Sequence, residues 1–400
     1  MLLYWVWFAE HPVLTTRQKN ILLQHFADAE EIFFAEGDKL EALDPQMKAA
    51  LQDKDTKNAE QILQSCARKD IRLLSIRDSQ YPDRLRNIPD PPIVLYYKGT
   101  FPDFERQPVI GVVGTRKSTP YGVTAARKIS RQIASHGGLV VSGCADGGDT
   151  AAMRGAMEAG KSVVGILGNG IDVVYPPKNR SLYAEVERTG CLISEYPPGS
   201  RPERWHFPQR NRIISGVANG VLVSEAPQKS GALITARAAM EQGRDVYVIP
   251  GNIDNPNCEG SNALLQEGAG AVFSGWDIMR EYEAMYPDVV SKSPLVSEPE
   301  RPRESLHVAQ PENPISRVTD KKVVDKPRQN SYIGIENSDF SEEEEKILSL
   351  LGSSPKHMDD VIAEANMSAG KVLSIVTKLT VKGVVISHPG RMVSCRLQRK

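Results

Sequence analysis

The chain has 400 residues, a quarter of them charged, with 49 basic against 50 acidic side chains and a net charge of −1. At about 100–200 residues per domain, that length suggests two to four domains. Near-neutrality excludes a uniformly basic DNA-coating protein but leaves room for a local basic groove, because patches rather than totals steer polyanions.

Met1 to Ala9 is apolar but has no basic leader, and Glu10, His11 and Pro12 interrupt it. It falls far short of the ~20 apolar residues of a membrane span, so it reads as the first buried helix of a cytoplasmic protein. Residues 1–65 read as a small helical domain. Ile21, Leu22, Phe26, Ile32, Phe33, Leu40 and Leu43 cluster on helical faces, and Pro12 and Pro45, the latter preceded by Asp44 as a cap, mark helix starts. Residues 66–286 form the next block, where strand and helix patterns alternate from about Arg72. After a strand near Ile93–Tyr97, the expected strands are Val109–Gly114, Leu139–Ser142, Val163–Leu167, Leu192–Glu195, Val221–Glu225, Val246–Pro250 and Ala271–Phe273. Apolar strands separated by helices predict an α/β fold with one extended, doubly wound and mostly parallel sheet.

Residues 287–339 hold seven prolines and no hydrophobic period, so they read as a flexible linker. In residues 340–400, Ser341 and Glu344 fit a capping box, and three helices precede a Gly-containing hairpin. That is the layout of a winged-helix domain. The five cysteines are scattered, odd in number and without metal or redox spacing, which fits a reduced chain.

Ligands of an open doubly wound sheet bind beyond the carboxyl ends of its strands. The segments there are Gly114-Thr115-Arg116-Lys117, Ser142-Gly143, Gly168-Asn169-Gly170 continuing to Lys178-Asn179, Arg210-Asn211-Arg212, Lys229-Ser230-Gly231 and Gly251-Asn252. Glycine lets backbone approach a ligand and helix starts attract anions, so this edge predicts a phosphate-bearing ligand. Its carboxylates are few, mainly Asp146, Asp149 and Glu225. Ordinary turn chemistry explains any one of these loops, but not six on one edge.

Gly155 to Ser162 matches the P-loop spelling, yet it reads as a helix followed by a strand, the reverse of what a P-loop requires. No Gly-x-Gly-x-x-Gly follows the first strand, so no nucleotide cofactor is expected. The seven histidines are dispersed, and His206 between Trp205 and Phe207 reads as a packed residue. Asp149 and Glu195 read as partners of arginines or helix caps rather than as an acid–base pair. No metal site and no catalytic set are expected.

Taken together, Gly-Thr-Arg-x-x-Thr-x-Tyr-Gly (114–122), Ser-Gly-x-Ala (142–145), Gly-x-Gly-Ile-Asp-x-x-Tyr-Pro (168–176) and Ser-Glu-Tyr-Pro-Pro-Gly (194–199) resemble the DprA (Smf) family of DNA-processing proteins. So do Phe-Pro-x-Arg-Asn-Arg-Ile-Ile-Ser-Gly (207–216), Ser-Gly-Ala-Leu-Ile-Thr-Ala (230–236) and Pro-Gly-Asn (250–252). The resemblance implies a sterile-alpha-motif-like N-terminal domain, an extended Rossmann domain and a C-terminal winged helix. It further implies a homodimer that binds single-stranded DNA and loads RecA recombinase onto it during natural transformation. Arg116, Lys178 and the Arg210-Asn211-Arg212 run match positions in the family's DNA-binding motifs, with Ser142, Ser230 and the neighbouring glycines as backbone-level phosphate contacts. Two departures stand out. Gly148 and Met153 replace the family's Ile and the His of its Ala-His pair, and Asp146 brings a negative charge into the pocket.

Tyr175, Trp205 and Phe207 fit either base stacking or packing of the sheet edge. Lys371, Lys378 and Lys382 fit a duplex-binding face, but their spacing suits an ordinary solvated helix face better. The competing reading is a Rossmann-fold nucleotide-processing hydrolase. It would need a Pro-Gly-Gly loop with a catalytic glutamate, where this chain has Ala226-Pro-Gln-Lys-Ser-Gly231.

Overall fold

Strands of four or five residues that are apolar on both faces gain stability only when neighbours pair with their edges and helices cover their faces. The computed structural model meets that requirement with a nine-stranded sheet. It describes residues 1–36, 39, 43–292 and, within 340–395, all but 353–355, 366, 383 and 389–391. These fall into two compact units, one of residues 1–292 and one within 340–395.

The strands are β1 (Arg72–Ser75), β2 (Val94–Gly99), β3 (Val109–Val113), β4 (Leu139–Ser142), β5 (Val163–Leu167), β6 (Cys191–Ser194), β7 (Gly220–Val223), β8 (Asp245–Val248) and β9 (Gly270–Ala271). Their spatial order is β1-β2-β6-β5-β4-β3-β7-β8-β9. From β6 to β9 all pairs are parallel, whereas β1–β2 and β2–β6 are antiparallel. The chain runs outward from β3 through β4, β5 and β6, then returns to the other side of β3 for β7, β8 and β9. Right-handed crossovers therefore put the Pro120–Ser135 and Gly148–Glu158 helices on one face and the His206–Val217 and Gly231–Glu241 helices on the other. The loops after β3 and β7 diverge, which opens a crevice at that end of the sheet.

The parallel strands match expectation to within two residues. β1 was not expected because it is a four-residue edge strand with an exposed arginine and only two buried positions. The P-loop-like spelling lies in the Gly148–Glu158 helix, then Gly160 at φ +70°, then β5, so no phosphate cradle forms there.

The apolar N-terminus is the Leu2–Ala9 helix, with Trp5, Val6, Trp7 and Phe8 buried in the same core as the sheet. The second helix starts at Thr16, not at Pro12, because Thr15 and Gln18 form a capping box. Asp44 caps the Pro45–Leu51 helix, accepting from the Gln46 amide at 2.8 Å. The expected linker begins later than Pro287. Val290 is buried in the core, and the Ser291 carbonyl lies 2.7 Å from Nδ1 of His136. Residues 293–339 lie outside the described residues.

The C-terminal unit has helices Glu342–Leu350, Met358–Ala365 and Ala369–Val381 and a small sheet of order β10-β12-β11. Its strands are β10 (Lys356–His357), β11 (Val385–His388) and β12 (Met392–Cys395), around a core that includes Ile347, Val361, Val372 and Leu379. Ser341 and Glu344 form the expected capping box.

Where the N-terminal helices meet the sheet, burial pushes the Glu10 carboxyl up to about 7, with Lys19 opposing and Glu195 adding to the shift. Folding therefore favours the protonated acid, and stability falls as pH rises from about 4.5 through about 7. Glu10→Gln is expected to raise the thermal transition by a few degrees at about pH 8 and to leave it unchanged near about pH 3, where the acid is protonated in both the folded and unfolded states. Calorimetry at the two pH values checks this.

Candidate functional site

The crevice at the β3/β7 switch is a cleft of about 670 Å³. The β3 loop supplies Gly114, Thr115 and Arg116, and the β7 loop supplies Lys229, Ser230 and Gly231. The segment entering the His206–Val217 helix adds Arg204, Phe207, Arg210 and Asn211. Among the described residues, Arg116, Arg204 and Lys229 are exposed and form no ion pair. The Arg116 guanidinium lies over the Phe207 ring at 5.0 Å, and Tyr175 lies beside that ring at 5.5 Å. Such a mixed cationic and aromatic wall can hold phosphate and a base face together.

A rigid floor supports this wall. Arg210 is buried and donates from Nη1 to the carbonyls of Gly143, at 2.8 Å, and Ile166. Asp149 faces it across Gly143, where a Cβ would lie 2.6 Å or less from both side chains. Burial pushes the Asp149 carboxyl up, while the Arg210 charge and the amides of Ala145, Gly114 and Gly143 pull it back down. Gly147, at φ +74°, lets this turn close against the β3 loop, since a Cβ there would meet the Thr115 carbonyl at 2.3 Å.

The structure divides the expected site residues into two groups. Thr115, Arg116, Lys117, Lys178, Ser230 and Gly231 are at least partly open to solvent. Of these, Lys117 and Lys178 lie outside the main cleft, Lys178 pairing with Asp146 at 3.0 Å, and the Ser230 hydroxyl caps the Gly231–Glu241 helix. The others serve the fold. Ser142 donates to the Val112 carbonyl at 2.6 Å, and Asn179 holds the Cys144 carbonyl and Thr150 at 3.0 Å each. Asn211 accepts from Arg210 Nε at 3.2 Å and donates to the Gly231 carbonyl at 3.2 Å. Gly114 and Gly143 direct their amides at Asp149. Arg212 points away from the cleft, bound by Glu195 at 2.6 and 2.8 Å and by Asp90 at 2.8 Å. As direct anion contacts, Gly114, Ser142, Gly143, Asn179, Arg210, Asn211 and Arg212 are thus corrected to supports, because most of their polar groups are held by protein partners.

Arg204 was missed, although the run Arg201-Pro-Glu-Arg204-Trp205 does interleave basic and aromatic residues. His206 is packed, its ring stacked on Tyr196 at 3.9 Å and its Nδ1 3.1 Å from the Gly168 carbonyl. Burial lowers its pKa. The Glu225 carboxylate accepts from the amide and hydroxyl of Thr119, at 2.8 and 2.6 Å, and so caps the Pro120–Ser135 helix from a fully buried position. Both glutamates that a hydrolase would recruit, Glu195 and Glu225, are committed elsewhere.

In the C-terminal unit, Lys378 and Lys382 pair with Glu344 at 2.9 and 3.3 Å, and Lys371 pairs with Glu343. All three lysines are paired with carboxylates of the first helix, two of them sharing Glu344, which favours the solvated-face reading over a duplex-binding face.

Fold and site define a Rossmann-type protein with a cleft at its topological switch point that carries unpaired basic side chains. Residues 72–283 match the family model for DNA recombination-mediator protein A, and residues 336–391 match the DprA winged helix domain. The chain is 33% identical over 354 residues to Protein Smf of Synechocystis sp., spanning 83% of this chain and 82% of that one. It is 42% identical over 209 residues to DNA processing protein DprA of Streptococcus pneumoniae, spanning 52% of this chain and 73% of that one. The X-ray structure of DNA processing protein A from S. pneumoniae superposes with a TM-score of 0.61 at 34% identity, covering 70% of this chain and 98% of that one. The chain belongs to the DprA/Smf family of DNA-processing recombination mediators. Among the described residues, no helix is long and apolar enough to cross a membrane.

The two groups of basic residues respond differently to truncation. Arg210→Ala removes the charge facing buried Asp149 and the bonds to the Gly143 and Ile166 carbonyls, and is expected to cost about 2–4 kcal/mol of stability. Arg116→Ala removes an exposed side chain and should change stability by less than about 0.5 kcal/mol. Urea melts of the two variants check the contrast.

Proposed function

We propose that this protein binds single-stranded DNA in the switch-point cleft and, as a cytoplasmic homodimer, loads RecA recombinase onto it without catalysis of its own. The observation that carries the reading is the convergence of unpaired Arg116, Arg204 and Lys229 on one cleft beside the Phe207 ring. Cations spaced along a groove contact successive phosphates whatever the base sequence, and an aromatic face accepts any base. Lys117 and Lys178, with Thr115, Ser230 and Gly231 at the loop tips, extend the same surface. Family membership supports the partnership with RecA, the dimer and a role in natural transformation. The proposal keeps the sequence division into a sterile-alpha-motif-like 1–65, a Rossmann domain over 66–286, a linker within 287–339 and a winged helix over 340–400.

Three phosphate contacts on a single strand give a log–log salt slope of about −2, at about −0.7 per contact. Titrating labelled oligothymidylate, alone and as a duplex, is expected to show preference for the single strand with that slope. Arg116→Ala should weaken binding by about 1–3 kcal/mol and flatten the slope by about 0.7. Equal binding of single strand and duplex, or no change in the variant, contradicts the reading. Faster RecA filament formation on single strands in the presence of the wild-type chain tests the loading step.

The Lys178–Asp146 pair holds a cation back from the strand. Asp146→Asn releases it and is expected to tighten binding by up to about fivefold, since exposed pairs are worth about 0–1 kcal/mol. The same titration measures it.

A further inference from the structure

A second cavity, of about 380 Å³, lies on the other side of the 201–207 segment, between the N-terminal helices and the end of β6. One short stretch of chain thus borders two cavities. Arg204 and Phe207 line the switch-point cleft, while Trp205 and His206 line the second cavity. Trp205 is 58% exposed, although the ring of a large aromatic residue normally seeks cover. Beneath it the His206 ring stacks on Tyr196, which gives the cavity a flat aromatic wall.

The polar lining selects the ligand chemistry. Glu10, Asp90 and Glu195 line the cavity opposite Lys19 and Arg212, which leaves no net positive charge there to hold a phosphate. Two nitrogens of Arg212 are taken by Glu195 and Asp90, but Nη1 is buried without an acceptor. A buried guanidinium N–H left unpaired is a costly arrangement that a carbonyl oxygen would relieve. Planar, uncharged, carbonyl-bearing groups of this size are nucleobases.

We propose that the second cavity takes a base of the same DNA strand, which leaves the switch-point cleft, crosses the 201–207 ridge over Trp205 and keeps its phosphates on the Arg204 side. The inference rests on single-strand binding at the cleft and lengthens its footprint.

Tryptophan fluorescence reads the ridge directly, because Trp5 and Trp7 are buried, Trp276 is half-buried and Trp205 alone of the four is exposed. The experiment titrates the full chain with oligothymidylates of about four and about twelve residues, a span typical of single-strand sites. The long oligomer should quench the fluorescence of the wild-type chain, and Trp205→Phe should lose the quench while keeping most of the affinity. Trp205→Ala, and Thr16→Phe at the exposed mouth of the cavity, should weaken the long oligomer by at least about fivefold and leave the short one unchanged. Wild-type affinity of both variants for the long oligomer, or no quenching in the wild type, overturns the second site. If Arg116→Ala still weakens binding in that case, the cleft reading stands by itself. If the wild type binds neither oligomer, both readings fall.

Discussion

The geometry of the site depends on the buried Arg210 and on Asp149, which faces it across Gly143. Arg210 ties the start of the His206–Val217 helix to carbonyls at the ends of β4 and β5. Asp149 gathers amides from the loops after β3 and β4. The helix start and the two loops are therefore held in one arrangement, and Phe207 and Arg116 meet because of it. Two opposite charges of this kind are expensive to bury, and they persist where a fixed geometry is needed. Glycine at 143 is part of the same constraint, because any side chain there would displace one of the two charges.

This separates the basic residues by role. Buried arginines position the loops, and exposed ones keep a free charge in the cleft. Arg210 and Arg212 satisfy protein acceptors on opposite sides of one helix, one below the cleft and one facing the second cavity. Arg116, Arg204 and Lys229 carry the uncompensated charge, so a chain with net charge −1 still presents a cationic cleft. Asp146 is a local brake on that potential through Lys178.

The fold was legible because its determinants are local. Apolar strands of four or five residues, glycine-rich turns after them and helical periods between them specify a doubly wound parallel sheet. Capping residues such as Asp44 and Ser341 were readable for the same reason. The edge on which the site lies followed from topology, but the roles of individual residues there did not. Ser142, Asn179, Arg210 and Arg212 have the right chemistry in the right loops, yet the backbone carbonyls and carboxylates they meet come from 17 to 122 residues away in sequence. Sequence spacing holds no information about which carbonyl or carboxylate each will meet. Arg204 was missed for the converse reason, since no local pattern shows that its neighbours leave it unpaired.

The account's central claim is that the DNA strand lies in the switch-point cleft. Hydrogen–deuterium exchange of the full chain, with and without saturating oligothymidylate, tests it most directly. The account predicts slowed exchange at 114–118, 201–207 and 228–231, with the 340–395 unit unchanged. Protection confined to 340–395, or spread evenly with no effect on those three loops, would contradict it.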